Sequence, residues 1–271
     1  MRLPRLALVA AAWGGLSACI SFNEPCSGVA ENPNEQVAYL NGVVYLDKAN
    51  ARHANNAIGQ GAAEAFLDAT ETGVPPSDFA VINGGGLRGE GLCVPRTILP
   101  TGGLKSGVLH EIMLFENRLL SLRVTRDELR ALIEASVTRL TPEGLPIVNP
   151  PGEFLHIAGG TEQINCANPP GSRVTRLVVG GEDMLLAGPD VRLAITDFNV
   201  YTGTGTKEVF AAMTGGVSSR DVHTYDLTDA QVVERYFKKS YQPPQGQTFP
   251  SLSVDGRIEL VGCATPGPPT K

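Results

Sequence analysis

The chain has 271 residues, 42% of them apolar and 18% charged, with a formal net charge of −6. That apolar share supports a buried core and excludes global disorder. The 31 Gly and 20 Pro exclude a coiled coil and favour a loop-rich α+β chain. An acidic balance with no Lys/Arg run excludes the nucleic-acid backbone as a partner.

The first 18 residues read as a signal peptide. Arg2 and Arg5 form a basic start, and Leu6 to Leu16 an apolar run too short to span a bilayer comfortably. The run ends in Leu16-Ser17-Ala18-Cys19, which resembles a bacterial lipobox with Cys19 as the lipidated first residue. Ile20 and Ser21 follow in place of Asp, which resembles sorting to the outer membrane. Processing would leave Cys26, Cys93, Cys166 and Cys263. An even number in an exported chain points to two disulfides with three possible pairings, and no C-x-x-C exists to suggest zinc. Cys26 and Cys263 lie near the two ends, so Cys26–Cys263 with Cys93–Cys166 is the favoured pairing.

Residues 19–36 are polar and read as a tether. A helix is expected over about 56–70, around Ala62, Ala63, Ala65, Phe66 and Leu67. Phe79 to Ile82 is a short buried strand. Leu119 to Val124 alternates apolar with polar and reads as a strand. Thr125-Arg-Asp-Glu128 is a capping-box pattern opening a helix to about Leu140, with Leu129, Leu132, Ile133 and Val137 on one face. After a Pro-rich loop, Phe154 to Ala158, Arg173 to Val179 and Val191 to Thr196 read as strands, with Gly180-Gly181 as a hairpin turn between two of them. Thr228-Asp-Ala-Gln231 caps a further helix to about Lys239, and Arg257 to Val261 is a last strand. No linker interrupts these elements. They predict one domain over 37–263, a mixed sheet packed by helices, before a Pro-rich tail, 264–271, expected to be disordered.

Gly84-Gly85-Gly86-Leu87-Arg88-Gly89 fits G-x-G-x-x-G after a strand. A dinucleotide fingerprint needs a helix to begin there, and Glu90-Gly91-Leu92-Cys93-Val94-Pro95 cannot open one, so no cofactor is expected. A tight turn with several positive-φ positions explains the glycines. It does not explain Asn83 and Arg88, an amide and a guanidinium fork suited to a polar, anionic ligand.

Asn83-Gly-Gly-Gly-Leu-Arg88 resembles the NGGGIR signature of the 5'-nucleotidase C-terminal domain. Leu114-Phe115-Glu116-Asn117 is similar to that family's PFxN, and Leu122 to Ser136 to its strand, turn and helix. Gly152-Glu-Phe-Leu155 followed by Gly159 resembles its GxFLQxxG, and Thr196-Asp-Phe198 through Gly205 its stacking Phe and GGDG loop. Arg173-Val174 followed by Leu177 resembles a later strand of the family, and these six features in register cover about residues 50–215. The resemblance implies that Phe115 and Phe198 sandwich a base while Asn83, Arg88 and Asn117 make polar contacts. Arg52 corresponds to an upstream family Arg, with a different spacing to the following helix. Thr204 stands where the family carries an Asp that accepts ribose hydroxyls, and Asp197 is a candidate to compensate.

The family's chemistry belongs to a separate metallophosphatase domain with D-x-H, G-N-H-[DE] and H-x-H ligands. Here there are four His, a lone Asp221-Val-His223 expected in a solvated loop, and neither G-N-H nor H-x-H. No catalytic or metal residue is therefore expected. The resemblance implies a substrate-recognition domain binding a nucleotide, nucleoside or nucleotide-sugar at the cell envelope, linked to nucleotide catabolism. Two alternatives are the recognition subunit of a two-chain nucleotidase, with a metallophosphatase as partner, and an interaction lipoprotein whose pocket has decayed.

Overall fold

Phe79–Asn83 is buried at every position, so this strand needs cover on both faces. The computed structural model, which describes residues 24–26, 28–71, 76–90, 95–241 and 252–269, supplies it. In chain order the elements are β1 (Gln36–Leu40), β2 (Val44–Tyr45), α1 (Lys48–Arg52), α2 (Ala57–Glu71), β3 (Phe79–Asn83), β4 (Ile98–Leu99), β5 (Gly102–Lys105), α3 (Ser106–Ile112), β6 (Arg118–Val124) and α4 (Arg126–Val137). They continue with β7 (Leu155–Ala158), β8 (Gly160–Asn165), β9 (Val174–Val179), β10 (Glu182–Asp183), β11 (Val191–Thr196), α5 (Asp197–Tyr201), α6 (Thr206–Ala211), β12 (His223–Thr228), α7 (Asp229–Ser240) and β13 (Ile258–Val261).

A five-stranded mixed sheet, β12-β6-β11-β3-β7, divides two cores. Ala80, Ile82, Leu119, Ala158 and Ala194 face one cluster, with α2, α3 and α7. Phe79, Val81, Leu122, Ile157, Leu193 and Ile195 face the other, with α4 and a four-stranded sheet, β10-β9-β8-β13. The α+β architecture of mixed sheet and packing helices follows the sequence expectation. Cover on both faces also removes the alternation expected of β6, where Leu119 to Leu122 are all buried.

The helix starts match the local chemistry. Thr125 and Thr228 each accept from a backbone N–H three residues on, and Glu128 and Gln231 reach back to the cap N–H. Each such cap contributes roughly 0.5–2 kcal/mol. The small residues of α2 allow close packing. A Cβ at Gly59 would stand 2.3 Å from the His156 ring, and one at Gly61 2.9 Å from Phe237.

Two expectations are corrected. Gly180-Gly181, at φ 57° and 86°, does close a hairpin, but between β9 and the two-residue β10. Val191–Thr196 crosses to the five-stranded sheet. The disulfide pairing also differs. β13 runs parallel to β8 with Val261 opposite Asn165. That register brings Cys166 and Cys263 together, Cα atoms 4.9 Å apart, as a disulfide. Pairing is set by strand register and not by nearness to the chain ends. Cys26 is disulfide-bonded too; Cys93 lies outside the described residues, as do the signal peptide and Cys19.

Glu111, fully buried, pairs with the equally buried Arg96 and accepts from the Cys26 N–H at 2.7 Å. Arg96 also donates to the Glu24 carbonyl. At the other end, Ala264 N–H donates to Thr141 O and Asn50 Nδ2 to Gly267 O.

Peptide mapping without reduction is expected to recover a Cys166–Cys263 link. Replacing both by Ser should lower stability by about 2–5 kcal/mol, because the bond closes a long loop of the unfolded chain. A Cys26–Cys263 peptide would contradict the pairing described here.

Candidate ligand-binding cleft

The order of the five-stranded sheet assembles the site. β11 runs parallel to β3, so their C-terminal ends, Thr196 and Asn83, share one edge. β6 and β7 run antiparallel to these strands, with Leu119 opposite Thr196 and Leu155 opposite Asn83. The segments entering β6 and β7 therefore reach the same edge. Four loops converge there, at the carboxyl ends of parallel strands, where open α/β sheets commonly bind ligands.

A cavity of about 440 Å³ lies among them. Phe115 and Asn117 come from the approach to β6, Gly152 and Glu153 from the approach to β7, and Asn83 and Arg88 from the end of β3. Phe198, Asn199 and Thr204 come from α5 and the loop behind it, Arg52 from the end of α1, and Arg139 from just past α4. All seven residues that the sequence nominated line this one cleft.

The glycine run works by close approach. None of Gly84, Gly85 and Gly86 has positive φ, which corrects the expected turn; they form a short 3₁₀ turn. A Cβ on Gly84 would stand 2.0 Å from Ala51 O, and one on Gly85 2.8 Å from Gly152 O. The turn thus presses against α1 and the approach to β7, bringing Arg52, Arg88 and Glu153 to one wall. His156 holds the same carbonyl from beneath, Nε2 to Ala51 O at 3.0 Å. Full burial pushes its imidazole down to about 4, so it serves as a neutral donor.

Asn83 is tied at both ends of its amide. Nδ2 donates to Gly152 O at 3.1 Å, and Oδ1 accepts from Asn199 Nδ2 at 3.1 Å. Asn199 Nδ2 also donates to Thr196 Oγ1 at 2.8 Å. Each link satisfies a buried polar group whose isolation would cost about 1–3 kcal/mol. Asn117 Nδ2 donates to Asp229 Oδ2 at 2.9 Å. A carboxylate only accepts, so this contact sets which end of the Asn117 amide faces Asp229.

Charge is unevenly compensated. The guanidiniums of Arg52 and Arg88 form no hydrogen bond or ion pair among the described residues, and both Nε atoms are buried without a partner. Burial, then the neighbouring Arg88, lowers the Arg52 pKa from its ordinary value. Arg88 also lies over the Phe115 ring, 4.7 Å from its centroid, a cation–π contact. Phe115 and Phe198 are 44% and 37% exposed, unusual for phenyl rings. Arg139, by contrast, grips Glu153 with two 2.6 Å hydrogen bonds.

Arg139, Glu153 and Asn199 were missed by sequence reasoning. Glu153 occupies the unspecified position of GxFL, and Arg139 follows the helix that motif reading ended with. No local pattern marks either. Asp197 does not line the cleft; its Oδ1 accepts the Arg118 N–H at 3.1 Å. Asp221 and His223 are exposed, as expected of a solvated segment; Asp221 in addition pairs with the buried Arg192 and lies 3.8 Å from Arg123. No group of three His, Cys, Asp or Glu among the described residues is arranged to hold a metal.

A family model described as "5'-nucleotidase, C-terminal domain" matches residues 33–233. No curated protein sequence matches the chain. Among solved structures, a 5'-nucleotidase precursor from Thermus thermophilus superposes with a TM-score of 0.67 at 21% identity, covering 84% of this chain and 39% of its own. Haemophilus influenzae NAD nucleotidase gives 0.64 at 16% identity, with 86% and 39% covered. The Thermus thermophilus sulfate thiohydrolase SoxB gives 0.56 at 12% identity, with 88% and 37% covered. The likeness is one of fold, and the chain spans about two fifths of the length of these proteins.

Asp229 supplies a pH test of the Asn117 contact. Burial raises its pKa from the usual 3.8 to about 6, against the opposing hydrogen bonds from Asn117 and Ala230. The folded state therefore holds its proton more tightly than the unfolded state does. That contribution to stability is complete below about pH 3.8 and is lost as pH rises through 6. Asp229→Asn, which cannot titrate, should gain stability relative to the parent chain between about pH 4 and pH 7, read as a rising difference in Tm. A difference independent of pH would show that Asp229 is not perturbed.

Proposed function

The chain belongs to the 5'-nucleotidase C-terminal domain family, and from that membership we propose that its cleft binds a nucleotide, nucleoside or nucleotide-sugar as a recognition domain in nucleotide catabolism. One observation carries the reading. Two half-exposed phenyl rings, Phe115 and Phe198, border the same cavity as Arg52 and Arg88, two arginines without an ion pair. Exposed rings offer stacking faces to a flat heterocycle, worth roughly 1–3 kcal/mol per base whatever the base. Unpaired guanidiniums suit phosphate oxygens by bidentate, charge-assisted hydrogen bonds. Thr204, exposed at the cleft, offers a hydroxyl where the family's loop carries a carboxylate.

A thermal-shift screen with nucleotides, followed by calorimetry, tests the reading. Phe198→Ala should lose roughly 1–3 kcal/mol of binding. Arg88→Ala should lose a similar amount, shrinking with added salt if the partner is phosphate. Undiminished binding in both variants would place the ligand elsewhere. An intact fold that binds no nucleotide would favour the decayed-pocket alternative, with Thr204→Asp as the rescue to try.

A second reading takes the chain as the recognition subunit of a two-chain nucleotidase, since the matched model is that of a C-terminal domain. On this reading a separate metallophosphatase chain acts on the nucleotide held here. The expected signal peptide and lipobox complete the proposal: Cys19 carries the lipid that anchors the domain to the envelope, with the outer membrane favoured. Among the described residues no helix is long and apolar enough to cross a membrane. Cys19→Ser should release the protein into the soluble fraction, because several acyl chains are what make such an anchor stable. Unchanged membrane association in that variant would defeat the anchor.

A further inference from the structure

Phe115, Glu116 and Asn117 approach β6 on a loop held in a costly shape. Glu116 sits at φ 51°, in the left-handed region that residues other than glycine seldom adopt. Such positions persist where the surrounding structure over-determines them. Here the surroundings are the start of α7. The Asp229 N–H donates to Asn117 O at 2.7 Å, and Asn117 Nδ2 donates back to Asp229 Oδ2 at 2.9 Å. The other carboxylate oxygen, Oδ1, accepts from the Ala230 N–H at 2.7 Å. Asp229 itself is buried.

This clasp decides what Asn117 can offer a ligand. Asn117 borders the cleft. With Nδ2 committed to Asp229, Oδ1 is the end of the amide left over; it has no partner among the described residues and is open to solvent. An amide oxygen only accepts. Asn117 therefore presents an acceptor two residues from the Phe115 ring. A phosphate, whose oxygens are acceptors too, is mismatched there. An N–H group on the edge of a stacked heterocycle is matched.

A protonated Asp229 reverses the arrangement. Oδ1 is kept by the Ala230 N–H, so the proton sits on the oxygen that faces Asn117. Two donors cannot face each other, and the amide turns, with its oxygen to Asp229 and its NH2 to the cleft. Burial, opposed by the hydrogen bonds from Asn117 and Ala230, brings the Asp229 pKa up to about 6. Asp197 of α5 pushes it in the same direction as burial. Of the other elements packed against α7, α2 has Glu64 and Asp68 engaged by Tyr241 and Lys239, and α3 has His110 engaged by Glu234, all at least a turn further along the helix. His223 and Asp226 of β12 are exposed, and β1 carries no carboxylate, imidazole or cation.

Resting on the nucleotide reading above, we propose that Asp229 is a positioning residue of the cleft: by clasping the Asn117 amide it makes Oδ1 the group that meets the base, and so selects a heterocycle bearing an exocyclic amine.

Calorimetry at about pH 8 and about pH 5, on either side of the Asp229 titration, compares AMP with purine riboside 5'-monophosphate, the same molecule with hydrogen in place of the 6-amino group. Whatever is common to the two ligands, phosphate ionisation and domain stability included, cancels in the ratio of affinities. At the higher pH the parent should prefer AMP about fivefold, the size of one neutral hydrogen bond. At the lower pH the ratio should fall close to one. Asp229→Asn imitates the protonated acid, because the Ala230 N–H keeps the new amide's oxygen and its NH2 faces Asn117. That variant should give a ratio close to one at both pH values, although His110 can still titrate. Asn117→Ala should do the same, and with the parent's pH dependence it decides the matter if the Asp229 variant does not fold. A parent that binds both ligands in the same ratio at both pH values would overturn the proposal and leave the nucleotide reading standing. So would an AMP preference that survives Asp229→Asn. If the parent binds neither ligand at either pH, the nucleotide reading itself falls, and this proposal with it.

Discussion

The parallel pairing of β11 with β3 is the constraint on which the rest depends. Leu193 opposite Phe79 and Ala194 opposite Ala80 align two distant strand ends, and Asn83 at one of them is joined to Asn199 just past the other, 116 residues away in sequence. Flanking antiparallel strands then return their incoming loops to the same edge. Between them the four segments contribute amides, phenyl rings, a guanidinium and a carboxylate. A cleft with this mixture arises from topology, since no single segment carries more than two of those kinds.

Burial on both faces makes that topology rigid. β3 is a continuous apolar run because helices cover one face and a second sheet covers the other. At the cleft edge the buried polar groups are held by one another. Asn83 joins β3 to the approach to β7 and to α5, and His156 joins β7 to α1. The glycines have a related purpose. Gly84 and Gly85 are small because backbone oxygens pass where a side chain would be. At this turn glycine is required for close contact, whereas its usual explanation is an unusual backbone angle.

The electrostatics of the cleft follow from which charges find partners. Arg96 and Glu111 neutralise each other deep in the core and anchor residues 24–26 against α3. Arg139 and Glu153 neutralise each other at the cleft wall. Arg52 and Arg88 remain, side by side in a partly desolvated space. Two like charges kept close raise the energy of the empty domain. An anion entering between them relieves that repulsion, a physical reason for the site to prefer a charged ligand.

Much of this was legible in the amino-acid order. Capping boxes at Thr125 and Thr228, the Ala-rich helix before Phe79 and the apolar strands are local patterns, governed by contacts three or four residues away, and they appear where the pattern places them. The seven nominated cleft residues were legible through motif resemblance, because short strand-end motifs travel with the strands that position them. Other features depended on tertiary register. Cys166 meets Cys263 because β13 chose β8 as a parallel neighbour. Asp221 reaches the buried Arg192 while staying exposed to solvent, and Asp197 turned from the cleft to the Arg118 amide. Glu153 and Arg139, unremarkable in their own segments, became a pair at the wall. A sequence records which side chains are available and how each segment folds on itself. Which charges and sulfurs meet across a hundred residues is set by strand order and register, through the burial of both faces of one sheet.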